Sequence, residues 1–251
     1  MFLKTLLVLL CAVAPALADL NATVLQVIQT MPRGGGYSVA TGATLALAGS
    51  IRTEISPQSS AGLSVDAAHA TPSYCSGATY LVFASVCQRL IREGRLALSD
   101  DALRALLVTG QRDGEGIWGR WNANGPGTAR LFHELDLGKN FTDWDQARAG
   151  DFMKIFWNSE IGKKERGHSV VFLRTEIEDG VEYVRFWSSN KPGGYGEKRV
   201  PRRSVVFAIF SRFENPENLT RAADIPARDA FLANMLTASF SREEVRKKCG
   251  M

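Results

Sequence analysis

Residues Thr71 to Cys87 read TPSYCSGATYLVFASVC. A proline-containing loop gives way at Cys75 to Ser-Gly and then to an apolar run suited to a buried helix, which the pattern places from about Ser76 to Glu93. A thiol at a helix start meets unpaired backbone N–H groups and the positive end of the macrodipole, both of which favour thiolate. Those N–H groups, including its own, can hold a developing oxyanion. Ser76 and Gly77 flank the sulfur, and Gly77 is expected to keep bulk away so that a substrate backbone can approach. The competing reading is a small buried residue that merely opens a core helix.

A nucleophilic thiol needs a base, and the base needs an orienter. The chain has three histidines. His69 lies in a polar loop, and His133, in ARLFHELDL, fits one face of an amphipathic helix. His168 follows Gly167 and opens the apolar run HSVVFLRTEI, where an active-site base would be mounted. That run and VEYVRFWSS flank Asp179-Gly180, a strong hairpin signal. If the loop spans Glu178, Asp179 and Gly180, His168 falls opposite Asn190, with Ser188 on the same face. A two-residue turn shifts Ser189 onto that face instead. Either way, a polar side chain could fix the imidazole tautomer.

The wider pattern is helical first and stranded later. NATVLQVIQTM reads as a short helix stopped by Pro32 and a Gly34-Gly35-Gly36 turn, and RTEISPQSSAGLSVDAAHATPS as a polar loop. Ser99-Asp100-Asp101 caps a further helix. The segment from Arg112 to Asn140 has loop composition rich in Gly, Asn and Trp. Trp118 and Trp121 there suit sugar stacking, whereas Trp157 and Trp187, inside strands, read as core. DFMKIFW and SVVFAIFSRF complete a set of β-branched and aromatic runs, and REEVRKKCGM closes the chain as a charged helical tail. Asp151 reads as structural, an acid at a strand start tying down a neighbouring loop. Helices followed by an antiparallel sheet make an α+β fold.

CSGATYLVF, ARAGDFMKIFW, GHSVVFL and VRFWSSN, in that order, resemble the papain-like NlpC-type cell-wall cysteine peptidases and the related CHAP amidases over about residues 72–211. The resemblance implies a papain-like domain with N-terminal helices packed on a central antiparallel sheet. It implies Cys75 as nucleophile, His168 as base and Asn190 as orienter. Ser188 sits where CHAP-like members often have an acid. Tyr74 stands where the peptidases usually have Asp, and its hydroxyl is expected near substrate or oxyanion. Tyr74, Ser76, Gly77, Trp118 and Trp121 form the expected substrate-binding set. The implied activity is hydrolysis of amide bonds in peptidoglycan or another peptide, by a monomer needing no cofactor and no metal. A non-catalytic wall- or glycan-binding protein, and an acyltransferase using the same triad, are the alternatives.

The first residues, MFLKTLLVLLCAVAPALA, have one lysine, an apolar run from Thr5 to Val13 and the small-x-small sequence Ala16-Leu17-Ala18. That is the build of a signal peptide cleaved after Ala18, giving a secreted or periplasmic protein with no stable membrane insertion. A lipoprotein reading through Cys11 is disfavoured by the bulk of Leu10. The expected organisation is a signal at 1–18, a helix and loop segment at 19–70, the hydrolase core at 71–215 and a helical tail at 216–251. Cys75 and Cys87, about 18 Å apart on one helix, cannot bridge, while a Cys87–Cys249 pair is open. With 45% apolar and 22% charged residues the 251-residue chain is globular. A net charge of +4 without a dense basic stripe makes no case for a nucleic-acid partner, and none is expected.

Overall fold

The computed structural model describes residues 19–56 and 59–251; the signal-peptide expectation for 1–18 lies outside them. Among the described residues no helix is long and apolar enough to cross a membrane. The chain is a mixed α+β fold built on one large antiparallel sheet.

In chain order the helices are α1 (Leu20–Thr30), α2 (Thr41–Ser50), α3 (Cys75–Arg92), α4 (Asp100–Ala105), α5 (Gly116–Trp121), α6 (Gly127–Leu135), α7 (Ala230–Asn234) and α8 (Arg242–Lys248). The strands are β1 (Gly34–Gly35), β2 (Ile51–Ser56), β3 (Ser59–Val65), β4 (Gly138–Phe141), β5 (Phe152–Phe156), β6 (Ile161–Gly162), β7 (His168–Glu178), β8 (Val181–Asn190), β9 (Gly194–Pro201), β10 (Phe207–Phe213) and β11 (Ser239–Phe240). The main sheet runs β1-β9-β8-β7-β5-β10-β4, and every pairing in it is antiparallel.

Helix α3 is the centre of the fold because it is apolar almost all round. Tyr80 to Phe83, Val86, Cys87 and Leu90 are fully buried, as expected of a helix covered on every side. One side of α3 lies on the sheet, where Phe152, Val171, Trp187 and Phe213 join its cluster. The other sheet face buries Met153, Ile155, Val170, Phe172, Phe186 and Phe210 beneath Trp144 and Val205. Alternating faces, both apolar, explain why β5 reads as a continuous hydrophobic run rather than as an alternation.

Three expectations need correction. The polar loop after Arg52 is largely the β2–β3 hairpin, in which Ile51 pairs with Val65 and Thr53 with Leu63; the alternation of Ile51, Thr53 and Ile55 with Arg52 and Glu54 was the strand signal. Gly34 and Gly35 are no simple turn but an edge strand on Tyr195 and Gly194. The Arg112–Asn140 segment forms α5 and α6 and starts β4. The segment REEVRKKCGM forms α8 as expected, and its Val245 and Cys249 are buried with Phe156, Ile209 and Met235.

Asp151 ties the sheet to its flank. It is fully buried and takes two bonds from Arg212, at 2.8 and 2.7 Å. It also accepts from Asn21 Nδ2 at 2.8 Å and from the Arg148 N–H at 2.8 Å. A buried carboxylate needs such a full set of donors to offset its lost hydration.

Candidate active site

Cys75 is the first residue of α3 and is half-buried. Its predecessor Tyr74 is extended, with φ −140° and ψ 166°, and places no side chain on the helix N-terminus. The first-turn N–H groups beside the sulfur therefore carry no capping oxygen.

Four groups act on the thiol. The His168 imidazole, the Lys154 ammonium and the Ser169 backbone N–H all favour its thiolate, and the Tyr37 hydroxyl, which lines the same cavity as Cys75 and Lys154, interacts with the sulfur. Burial opposes ionisation, but the histidine, the lysine and the N–H outweigh it and hold the thiol down to about 6, from a usual 9.0. For Tyr37, burial and the neighbouring sulfur both push the phenol up, so it remains a hydroxyl donor.

The histidine owes its setting to an irregularity in the sheet. Asp179 and Gly180 form a two-residue turn with φ 51° and φ 74°, and Glu178 pairs directly with Val181. Uninterrupted, that register would leave Asn190 one residue short of His168, opposite Ser169. A bulge at Leu173 intervenes: Arg174 pairs with Arg185, yet Phe172 pairs with Phe186. The extra residue restores the alignment expected of a three-residue turn. His168 Nε2 then lies 3.2 Å from Asn190 Oδ1, with the Phe186 ring edge-on to the imidazole.

The Asn190 amide is itself fixed. Its Nδ2 donates to the Gly196 carbonyl at 2.9 Å and to the Ser188 carbonyl at 3.2 Å, which leaves Oδ1 facing His168. An amide oxygen only accepts, so Nε2 carries the proton and Nδ1 is the nitrogen left for the sulfur.

Ser188 does not join this chain. It is fully buried, and its hydroxyl donates to the Ser169 carbonyl at 2.7 Å. Ser189 is occupied by the Ser73 hydroxyl at 2.8 Å. Of the three candidate orienters, Asn190 is the one that meets His168.

A cavity of about 370 Å³ opens over the sulfur, lined by Tyr37, Tyr74, Cys75, Asn122 and Lys154 among others. A larger groove, about 810 Å³, lies between α1, β3 and α3 and holds Asp66, Gln88 and Arg89. Its lining has no cysteine and no histidine, whereas the smaller cavity holds Cys75 and Lys154.

The expected substrate residues divide. Tyr74 and Ser76 line the cavity; the Tyr74 hydroxyl meets Thr44 Oγ1 at 3.2 Å, and Ser76 donates to Asn122 Oδ1 at 2.6 Å. Gly77 faces away from the sulfur, since a Cβ there would meet Leu47 and the Tyr74 ring at 3.4 Å. Trp118 and Trp121 are buried in the core, and Trp121 packs on Phe83 and Phe152 and donates to Thr79. Neither indole has a face open to a sugar. Trp187 is core, whereas Trp157, expected there, is 39% exposed. His69 and His133 are exposed. The Cys87–Cys249 bridge is not formed; both thiols are free and buried in separate clusters, and burial raises both pKa values, that of Cys249 to about 12.

Two site residues escaped the sequence reading. Tyr37 gave no local signal: it is delivered by its N–H bond to the Pro192 carbonyl, 3.1 Å, just beyond β1. Lys154 did give one, because a lysine inside DFMKIFW breaks an otherwise buried strand. Among the described residues no cluster of three His, Cys, Asp or Glu could hold a metal. No protein-family model, curated protein or solved structure matches the chain.

Proposed function

We propose that this protein is an exported cysteine hydrolase that cleaves amide bonds, with peptidoglycan stem peptides or their link to the glycan as substrate. The carrying observation is the His168–Asn190 hydrogen bond, together with a cavity-lining Cys75 thiol that the same imidazole helps to hold low in pKa. The wall substrate and the papain-like description rest on the resemblance of CSGATYLVF, GDFMKIFW and GHSVVFL to NlpC- and CHAP-type enzymes.

The Cys75 thiolate, paired with the His168 imidazolium, attacks the amide carbonyl. The oxyanion is held by backbone N–H groups at the start of α3. His168 Nδ1–H then protonates the departing nitrogen, the C–N bond breaks and a thioester remains. Water, deprotonated by Nδ1, attacks that thioester; the acid leaves and the thiolate is restored. Asn190 keeps the imidazole in the tautomer each step uses.

Purified sacculi incubated with the mature protein test this directly. New muropeptides should appear by mass spectrometry with wild type and be missing with a folded Cys75→Ala variant. Equal digestion by both ends the assignment.

A further inference from the structure

Lys154 helps to hold the Cys75 thiol low, yet the steps above give it no contact with substrate, although it lines the same cavity. It is 5% exposed, and its ammonium makes one hydrogen bond, 3.1 Å to Ser169 Oγ. An ammonium has three donors, so two are left without a partner among the described residues. The two acids whose charges act on it, Asp113 and Glu165, place their hydrogen bonds elsewhere. Asp113 accepts the Asn124 N–H at 3.0 Å. Glu165 takes the N–H groups of Trp157 and Gly167 and the Asn158 amide, at 3.1, 2.8 and 3.2 Å.

The backbone is shaped around this lysine. Gly167, at φ +75°, runs so close that an added Cβ would come within 2.7 Å of Lys154 Cε. The residue just before His168 is therefore one that makes room for the lysine stem. The negative groups that favour its charge, the Cys75 sulfur, Asp113 and Glu165, make no hydrogen bond to the ammonium among the described residues, and the lysine lines the cavity that holds Cys75. Arg166, exposed, lines the same cavity with a second positive charge, and Asp113 lines it with one negative charge.

We propose that Lys154 forms an anion subsite beside the nucleophile, binding a carboxylate next to the scissile carbonyl. The preferred substrates are then peptides with a free carboxylate flanking the cleaved amide. The substrate claim rests on the hydrolase reading; the subsite itself does not.

Alkylation of Cys75 separates the two. Iodoacetate carries a carboxylate, iodoacetamide its neutral counterpart, and both need only reach the sulfur. The iodoacetate to iodoacetamide rate ratio, measured against that of free cysteine in the same buffer, should be raised about 10-fold or more in wild type, the range of one hydrogen bond to a charged group. Lys154→Gln should return it to the free-cysteine value, with folding checked by circular dichroism. A wild-type ratio equal to that of free cysteine overturns the subsite without any variant. So does a raised ratio that survives Lys154→Gln but is lost in Arg166→Gln. These outcomes do not depend on turnover, so failure to digest sacculi leaves them readable. With turnover in hand, a peptide ending in a carboxylate beside the scissile bond should exceed its carboxamide twin in kcat/KM, and Lys154→Gln should level the two.

Discussion

His168 Nε2 stands 3.2 Å from Asn190 Oδ1 because β7 carries one more residue than β8 across the Leu173 bulge. Asn190→Ala should therefore lower kcat by roughly 100-fold, the scale of a misplaced catalytic group, with KM little changed. Ser188→Ala, which loses only a bond to the Ser169 carbonyl, should cost about 1 kcal/mol of stability and leave kcat near wild type. The reverse pattern in steady-state kinetics would make Ser188 the orienter.

The thiol should titrate low. With a pKa near 6, Cys75 is mostly thiolate above that pH, so its alkylation rate should climb through pH 6 and level off by pH 7.5. An ordinary thiol is still rising near 8.5. Removing the imidazole, as in His168→Ala, should move the midpoint upward, because burial then acts with less opposition. A wild-type midpoint above 8 would contradict the site as described.

Trp121 is a core residue, fully buried against Phe83 and Phe152. Trp121→Ala should cost about 3–5 kcal/mol in urea unfolding. A variant of unchanged stability that instead bound glycan poorly would restore the sugar-stacking role.

The Arg212–Asp151 pair is buried at both ends, with side chains 5% and 0% exposed. Asp151→Asn strands a guanidinium in the interior and should destabilise by about 3–5 kcal/mol in chemical denaturation. Near-wild-type stability would mean that the arginine finds water instead.

Gly180 has φ 74° with nothing within 4 Å of an added Cβ. Gly180→Ala should cost about 1–2 kcal/mol through backbone strain alone, without changing Cys75 alkylation. A change in alkylation would show that the hairpin turn governs the site after all.

Much of the frame was legible along the chain. The apolar run after Cys75 marked α3, the β-branched runs marked β5, β7, β8 and β10, and Asp179-Gly180 marked their hairpin. Each of these signals depends on residues within a turn or two of one another. The hairpin at 51–65 was missed because serines, Pro57 and Gln58 gave it the composition of a loop. The tryptophans were misplaced because glycines around them disguised two short helices whose burial is set by α3.

Sequence alone determined that a cysteine opens a buried helix, that a histidine opens a strand, and that three polar residues compete to follow it. Only the tertiary structure chose among them. Ladder pairing is a long-range property, and one inserted residue at Leu173 decides which side chain faces the imidazole. The same holds for Tyr37 and Lys154, which lie far from Cys75 in the chain and share its cavity only once β1, β5 and β7 are assembled around α3.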